Sequence, residues 1–394
     1  MKRRITLIVL AVLGVVTGTA FAAFVSSTST GVNTFTTRAV ASKPVITNTR
    51  ITTDPTCAAG APAETVRQGE TFYVCAQSIT DPAGVATATA DLEAISGDAE
   101  IPLFTTGGPF SGYAYRSDAK TAFSPLSTGT SGGWSIRATN MNGDRTTESG
   151  LTYNIRSYSG MILGEFGAPA EGLASQYYRF AETTTSGANL GTGGNAAATY
   201  NGTPTRRVPG AIVGSGDTAV RLNGGSDYLS ATRRAAIASN YAVEIWVKGT
   251  ATSGLGPGTL WSDSAGLIDA GNAANNNDFG VAVDATGRIV AGCGNAAVST
   301  IRSAAGVLAD GLWHHVVFNR VRTTGAITLY VDGVQVAAAT TCNTTAHTGS
   351  TTVWFGRSHE STLNLTADLD EPVLWGRNLT SAEVLDHFRL GTGT

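Results

Sequence analysis

Four cysteines, five histidines and one dense run of acids are the residues of this 394-residue chain best suited to chemistry. Cys57, Cys75, Cys293 and Cys342 show no Cys-x-x-Cys spacing, which makes a zinc site a poor reading. An even count suits two disulfides, with three pairings open. Two cysteines stand early in the chain and two late, which favours Cys57–Cys75 and Cys293–Cys342. His314 and His315 are consecutive, so on a strand they point to opposite faces and cannot chelate one metal together. In Asp368-Leu369-Asp370-Glu371, alternation lets Asp368 and Asp370 share a face and turns Glu371 away. Asn275-Asn276-Asn277-Asp278 is oxygen-rich, as a calcium loop or a solvated turn would be. No Gly-x-Ser-x-Gly nucleophile elbow occurs.

The elements that must position these residues read as strands. Helical periodicity is almost absent after the first 23 residues, and short alternating runs separated by Gly, Asn, Asp, Ser and Thr dominate. Within 241–248, Val243, Ile245 and Val247 fall on one face and Glu244, Trp246 and Lys248 on the other. Val331-Asp332-Gly333-Val334 carries an Asp-Gly hairpin turn. Thr380-Ser381-Ala382-Glu383 is a capping box that opens one short C-terminal helix, with Val384, Leu385 and Phe388 as its apolar stripe. Gly391 stands where that helix is expected to stop.

Charged residues make up only 14% of the chain and the formal charge is -3, which argues against a nucleic-acid partner. Lys2, Arg3 and Arg4, an apolar run over 5–16 and Ala20-Phe21-Ala22-Ala23 have the order of a secretory signal peptide over 1–23, leaving no membrane span after cleavage. Residues 24–43 are expected as a Ser/Thr-rich disordered stalk. Their first part weakly resembles the post-leader segment of bacterial biofilm-matrix and camelysin-like proteins, which use a dedicated signal peptidase. A secreted, extracellular or cell-surface location follows, and it permits disulfides. The remainder divides into a β domain over 44–157, a Gly/Ala/Pro-containing linker over 158–169 and a larger β domain over 170–394.

Residues 44–157 resemble a bacterial immunoglobulin-like β-sandwich. The resemblance rests on the inner-strand pattern Thr71-Phe72-Tyr73-Val74-Cys75 and on Gly133-Trp134-Ser135-Ile136, with Trp134 expected in the core. Residues 170–394 carry a more specific set in order. They are Gln176-Tyr177-Tyr178-Arg179-Phe180-Ala181-Glu182, Val243-Glu244-Ile245-Trp246, Gly311-Leu312-Trp313-His314-His315-Val316, Leu329-Tyr330-Val331-Asp332-Gly333 and Leu369-Asp370-Glu371-Pro372-Val373-Leu374-Trp375. These resemble the laminin-G-like jellyroll of the concanavalin A-like lectin/glucanase superfamily.

That resemblance implies an all-β protein, an immunoglobulin-like sandwich followed by a jellyroll. It implies recognition of a glycan or an extracellular protein, with a structural matrix or adhesion role as the alternative and oligomeric state open. It also implies one structural calcium ion between the opening and closing strands. The carried-over ligands are Glu182 and Asp370, although Ala181 departs from the acid common there. A glycoside hydrolase of the same superfamily is a further alternative, but its glucanases place Glu-x-Asp-x-Glu or Glu-x-Asp-x-x-Glu on one strand, and this chain has neither. It therefore reads as non-enzymatic. Trp246 and Trp313 are expected as core aromatics, and Trp261 and Trp354 as an exposed ligand platform.

Overall fold

The computed structural model describes residues 42–394 apart from 59–64, 111, 124–129, 165–172, 251–258, 273–276, 295–298 and 360–362, together with 23–25 and 36–38. Most of the leader, Asn275 and Asn276 of the oxygen-rich loop and the second half of the expected linker therefore lie outside the described residues. Where the leader was expected to end and a disordered stalk to follow, Ala23–Val25 pairs with Thr36–Arg38 in a two-stranded ribbon. Phe24, Val25, Thr36 and Thr37 are residue types that favour strands.

Residues 45–156 build one nine-stranded sheet, antiparallel except for the short parallel strand Thr65–Arg67 at one end. The long strand Asp98–Phe110 turns the corner. Its first part pairs with Val85–Leu92 and its second with Tyr113–Ser117. Phe72, Val74, Ala90, Ile136 and Ile155 are buried in the core cluster of this sheet, and Trp134 joins them at 6% exposure. Cys57 is bonded to Cys75 beside Tyr113.

Residues 174–375 form two facing eight-stranded sheets. The front sheet runs Thr205–Pro209, Thr218–Asn223, Thr366–Trp375, Tyr241–Thr250, Asp310–Val321, Ala326–Val331 and Val334–Thr340, with Ala174–Tyr177 also on Thr366–Trp375. The back sheet runs Ser186–Gly187, Ala198–Asn201, Tyr228–Thr232, Thr352–Phe355, Ala265–Asp269, Phe279–Val283, Ile289–Cys293 and Ile301–Arg302. Val243, Ile245 and Val247 enter the core between them, with Phe318, Leu329, Phe279 and Phe355. Cys293 is bonded to Cys342. Asp332 and Gly333 both take positive φ, 51° and 77°, as a two-residue primed hairpin turn requires.

The outer face of the front sheet is covered rather than open. The C-terminal helix, Ser381–Thr392, starts at the Thr380–Glu383 capping box and packs over Trp246. Its left-handed cap is Gly393, not Gly391. Gly391 lies inside the helix, where a Cβ would come within 2.2 Å of the Trp246 ring. The glycine is therefore a close-approach residue. The first half of the expected linker is a second cover: Tyr158–Ile162 is a helix whose Tyr158 and Ile162 are fully buried on the same face. Gln68 donates to the Val213 carbonyl at 2.9 Å, and Arg156 pairs with Asp386 of the C-terminal helix. The N-terminal sheet is thus joined to the front sheet by side chains as well as by the chain.

Candidate functional site

Two places on the paired sheets bring chemistry-bearing residues together. The first is a buried acidic centre on the outer side of the front sheet. Asp217, Asp370 and Glu371 offer carboxylate oxygens that all lie within 4.8 Å of one another. Alternation would send Glu371 away from Asp370. Instead the pairing of Thr366–Trp375 with Tyr241–Thr250 slips between Asp370 and Val373, and Glu371 takes φ 51°. This β-bulge re-aims Glu371 to the side of its neighbour.

Arg179, following the opening strand, reaches Asp217 at 2.5 Å and Glu371 at 3.4 Å. Asp370 accepts from the backbone N–H of Ala211 at 2.8 Å and of Glu371 at 3.0 Å. Gly210 leaves space there, since a Cβ would lie 3.0 Å from an Asp370 oxygen. Among the described residues Glu371 Oε2 is buried without a hydrogen bond of good geometry, and the buried Tyr177 hydroxyl stands beside the Glu371 carboxylate. Burial, and then the charge of Asp217, raises the Asp370 carboxyl well above the usual range. Glu371 is raised likewise by burial, against the lowering charge of Arg179, and the charges of Asp370 and Asp217 add to the rise.

Three carboxylates face one guanidinium. Two protons or one divalent cation would balance the excess. The all-oxygen donor set and the orphaned Glu371 oxygen fit a hard cation. Glu182 is not a member of this cluster. Its carboxylate instead accepts from the Ala188 N–H and the Tyr200 hydroxyl, both at 3.0 Å. Of the two expected ligands, Asp370 stands in the centre. Its partners are Asp217 and Glu371, brought in by the loop that leads into Thr218–Asn223 and by the bulge.

The second place is the outer face of the back sheet. Trp354 is half-buried there and lies in one cross-strand row: Thr199 opposite Ser230, Ser230 opposite Trp354, Trp354 opposite Asp269, and Asp269 opposite Gly280. His359 stacks on Trp354 with ring centroids 6.3 Å apart. Its Nδ1 lies 3.0 Å from an Asp269 oxygen, which fixes the ring. On the neighbouring strand Tyr228 is half-exposed under the Arg357 guanidinium, 4.7 Å from the ring centre. Asn201 donates to the Ser230 hydroxyl at 3.2 Å.

Trp261 does not join Trp354 at the surface. It is 1% exposed and lies flat over Gly280 and Gly292, where a Cβ would approach its ring to 2.5 Å. Two glycines opposite each other on adjacent strands make a trough that the indole fills. Trp246 is buried as expected, and Trp313 is partly buried against the same cluster. The two histidines do separate. His315 is buried on Glu244, while His314 sits between Asp332 and Asp310. Asp368 is held by Arg221 through two hydrogen bonds of 2.6 and 2.9 Å.

Asp217, Asp269 and His359 were not signalled by local sequence, because each acquires its role from a distant strand. Arg179, a charge inside the apolar run Tyr177-Tyr178-Arg179-Phe180, was the one visible hint.

Two face-to-face antiparallel sheets with this strand order define a concanavalin A-like sandwich. Residues 223–385 match the family model Laminin_G_3 of the concanavalin A-like lectin/glucanases superfamily. No curated protein matches the chain. Among solved structures, the receptor binding domain of botulinum neurotoxin C/D mosaic serotype is 11% identical, with a TM-score of 0.41, over 55% of this chain and 51% of that one. The binding domain of Paraclostridial mosquitocidal protein 1 is 14% identical, with a TM-score of 0.41, over 54% and 52%. The match thus spans about half the length of these toxin domains. Domain 4 of an extracellular GH43 arabinanase from Geobacillus stearothermophilus, solved with arabinotriose, is 19% identical, with a TM-score of 0.38, over 55% of this chain and 98% of that one. Among the described residues, no helix is long and apolar enough to cross a membrane.

Proposed function

We propose that the chain is an exported, non-enzymatic carbohydrate-binding module. Its leader over 1–23 is removed, residues 44–157 act as an immunoglobulin-like spacer, and residues 170–394 hold the ligand. The observation that carries this reading is the outer face of the back sheet. There Trp354 and Tyr228 are half-exposed on adjacent strands among Thr199, Asn201, Ser230 and Arg357. Apolar ring faces with a few convergent polar groups are what a sugar ring, apolar on its C–H face and polar at its rim, requires. The acidic centre serves as a structural calcium site, held by Asp217, Asp370 and Glu371. Bound there, calcium would neutralise the two carboxyls that burial disfavours as anions and tie the closing strand to the 210–217 loop.

The test is a glycan array probed with the full chain, in calcium and in chelator, beside Trp354→Ala. Saturable binding to one glycan class that Trp354→Ala loses, with the circular dichroism spectrum unchanged, supports the reading. An array without hits, or a Trp354→Ala chain that binds like the parent, overturns it and moves the search to protein ligands.

A further inference from the structure

The rim of the front sheet carries a cleft that the proposed back-sheet site does not use. It measures about 300 Å³ and is lined by Arg221, Leu222, Lys248, Gly249, Thr366 and Asp368. That volume stands at the lower end of the roughly 300–1,000 Å³ typical of small-ligand sites. A charged row crosses it on three adjacent strands. Arg221 stands opposite Asp368, and Asp368 opposite Lys248.

Asp368 is nearly buried, its side chain 6% exposed, while Arg221 is 55% exposed. The two hydrogen bonds between them hold the guanidinium in one orientation at the mouth. The Lys248 ammonium has no ion pair or hydrogen-bond partner among the described residues. Two cations against one carboxylate leave one positive charge in the cleft. Its ammonium is free to act and its guanidinium is already ordered. The side-chain entropy of placing Arg221 is therefore lost on folding rather than on binding.

We propose that this cleft binds an acidic saccharide through one singly charged oxyanion, a uronate carboxylate or a sulfate ester. Lys248 is its direct partner, with the outward edge of Arg221 beside it. The Asp368 carboxylate and the Thr366 hydroxyl accept from the sugar hydroxyls. Gly249 brings no side chain into the cleft, and the aliphatic stem of Lys248 faces the apolar side of the ring. The site is independent of Trp354 and lies on the opposite sheet.

The experiment is isothermal titration of the full chain with three tetrasaccharides of equal length: galacturonic acid, 6-sulfated galactose and neutral galactose. Either charged tetramer binding at least about tenfold more tightly than the neutral one supports the proposal, and the tighter of the two identifies the oxyanion. Lys248→Gln is expected to weaken that binding about tenfold, and Lys248→Arg to restore most of it, as loss and replacement of one charge-assisted hydrogen bond predict. Hydrogen–deuterium exchange should show protection of Thr218–Asn223 and Tyr241–Thr250 by the charged tetramer. Equal binding of charged and neutral tetramers, no binding by either charged tetramer, an unaffected Lys248→Gln chain, or protection confined to Thr352–Phe355 would each overturn it.

Discussion

Tyr158 donates its phenolic hydrogen to Glu244 Oε1 at 2.8 Å, joining the segment that leaves the N-terminal sheet to the middle of the front sheet. The same hydroxyl accepts from Trp246 Nε1 at 3.1 Å. Glu244 also accepts from His315 at 2.8 Å, Trp375 at 3.0 Å and His387 of the C-terminal helix at 3.0 Å. One buried carboxylate thus gathers three strands and two helices.

Removing the Tyr158 hydroxyl leaves Trp246 Nε1 without its acceptor and Glu244 one donor short. Tyr158→Phe should cost about 1–3 kcal/mol, the usual penalty for stranding a buried polar group. Tyr158→Ala, which also empties an aromatic site, should cost about 3–5 kcal/mol. Calorimetry provides the check. The parent is expected to melt in one transition and the Ala variant in two, as the N-terminal sheet comes loose. A parent that already melts in two would contradict the coupling.

Burial alone would raise the Glu244 carboxyl, but the charges and hydrogen bonds of His387 and His315 outweigh it and hold it well below the usual range. A depressed carboxyl contributes stability above its unfolded value, and loses it as pH falls through the folded one. Glu244→Gln replaces an acceptor of several donors with a group that is half donor, and should cost about 3–5 kcal/mol near neutrality. Urea midpoints at pH 7 and pH 3 test this, since the gap between parent and variant should narrow at the lower pH.

His347 is 1% exposed, and burial together with Arg320, Arg233 and Arg322 pushes its imidazole down to about 3. The unfolded chain takes up this proton near pH 6.5, and the folded one refuses it until about 3. Stability is therefore complete above pH 6.5 and is lost as pH falls toward 3, at about 1.4 kcal/mol per unit. His347→Gln keeps a partner for the Tyr241 hydroxyl, which lies 3.0 Å away, and removes the titration. Its melting temperature should fall less steeply than the parent's between pH 6.5 and 4. Parallel curves would refute the assignment.

Asp370 and Glu371 titrate in the opposite sense. Their raised carboxyls bind protons more tightly in the folded chain, so without a cation they cost stability as pH rises above the ordinary carboxylate range. Calcium should reverse this. At one hundred times its dissociation constant it would add about 2.7 kcal/mol, with a larger melting shift at pH 8 than at pH 5, where protons compete. Glu371→Gln should abolish the shift while leaving the calcium-free chain no less stable. Identical melting in calcium and in chelator at pH 8 would dismiss the metal.

Each disulfide closes a loop whose length sets its effect on the unfolded chain: 18 residues for Cys57–Cys75 and 49 for Cys293–Cys342. In the chain-entropy picture these are worth roughly 3 and 4 kcal/mol. The paired variant Cys293→Ala with Cys342→Ala should therefore lower the urea midpoint more than Cys57→Ala with Cys75→Ala does.

The alternation of Val243, Ile245 and Val247 against Glu244, Trp246 and Lys248 was legible because a strand's period of two assigns faces from local order alone. The Asp332-Gly333 turn and the Thr380–Glu383 cap were legible for the same reason, since each is satisfied within a few residues. What the second face meets was not legible. Glu244 is a buried hub because Tyr158 and His387 arrive from segments far away in the chain, and no local pattern encodes that meeting. The bulge that brings Glu371 beside Asp370 is a property of strand pairing, so a reading with strict alternation turned it the wrong way. Trp261 and Trp354 look alike in sequence. The glycine trough of two neighbouring strands buried the first, and a polar row across four strands left the second at the surface. Local order determined which elements form and which side each residue takes. Tertiary pairing alone decided which of those sides would be covered, because burial and charge neighbours are set by strands that the chain supplies from elsewhere.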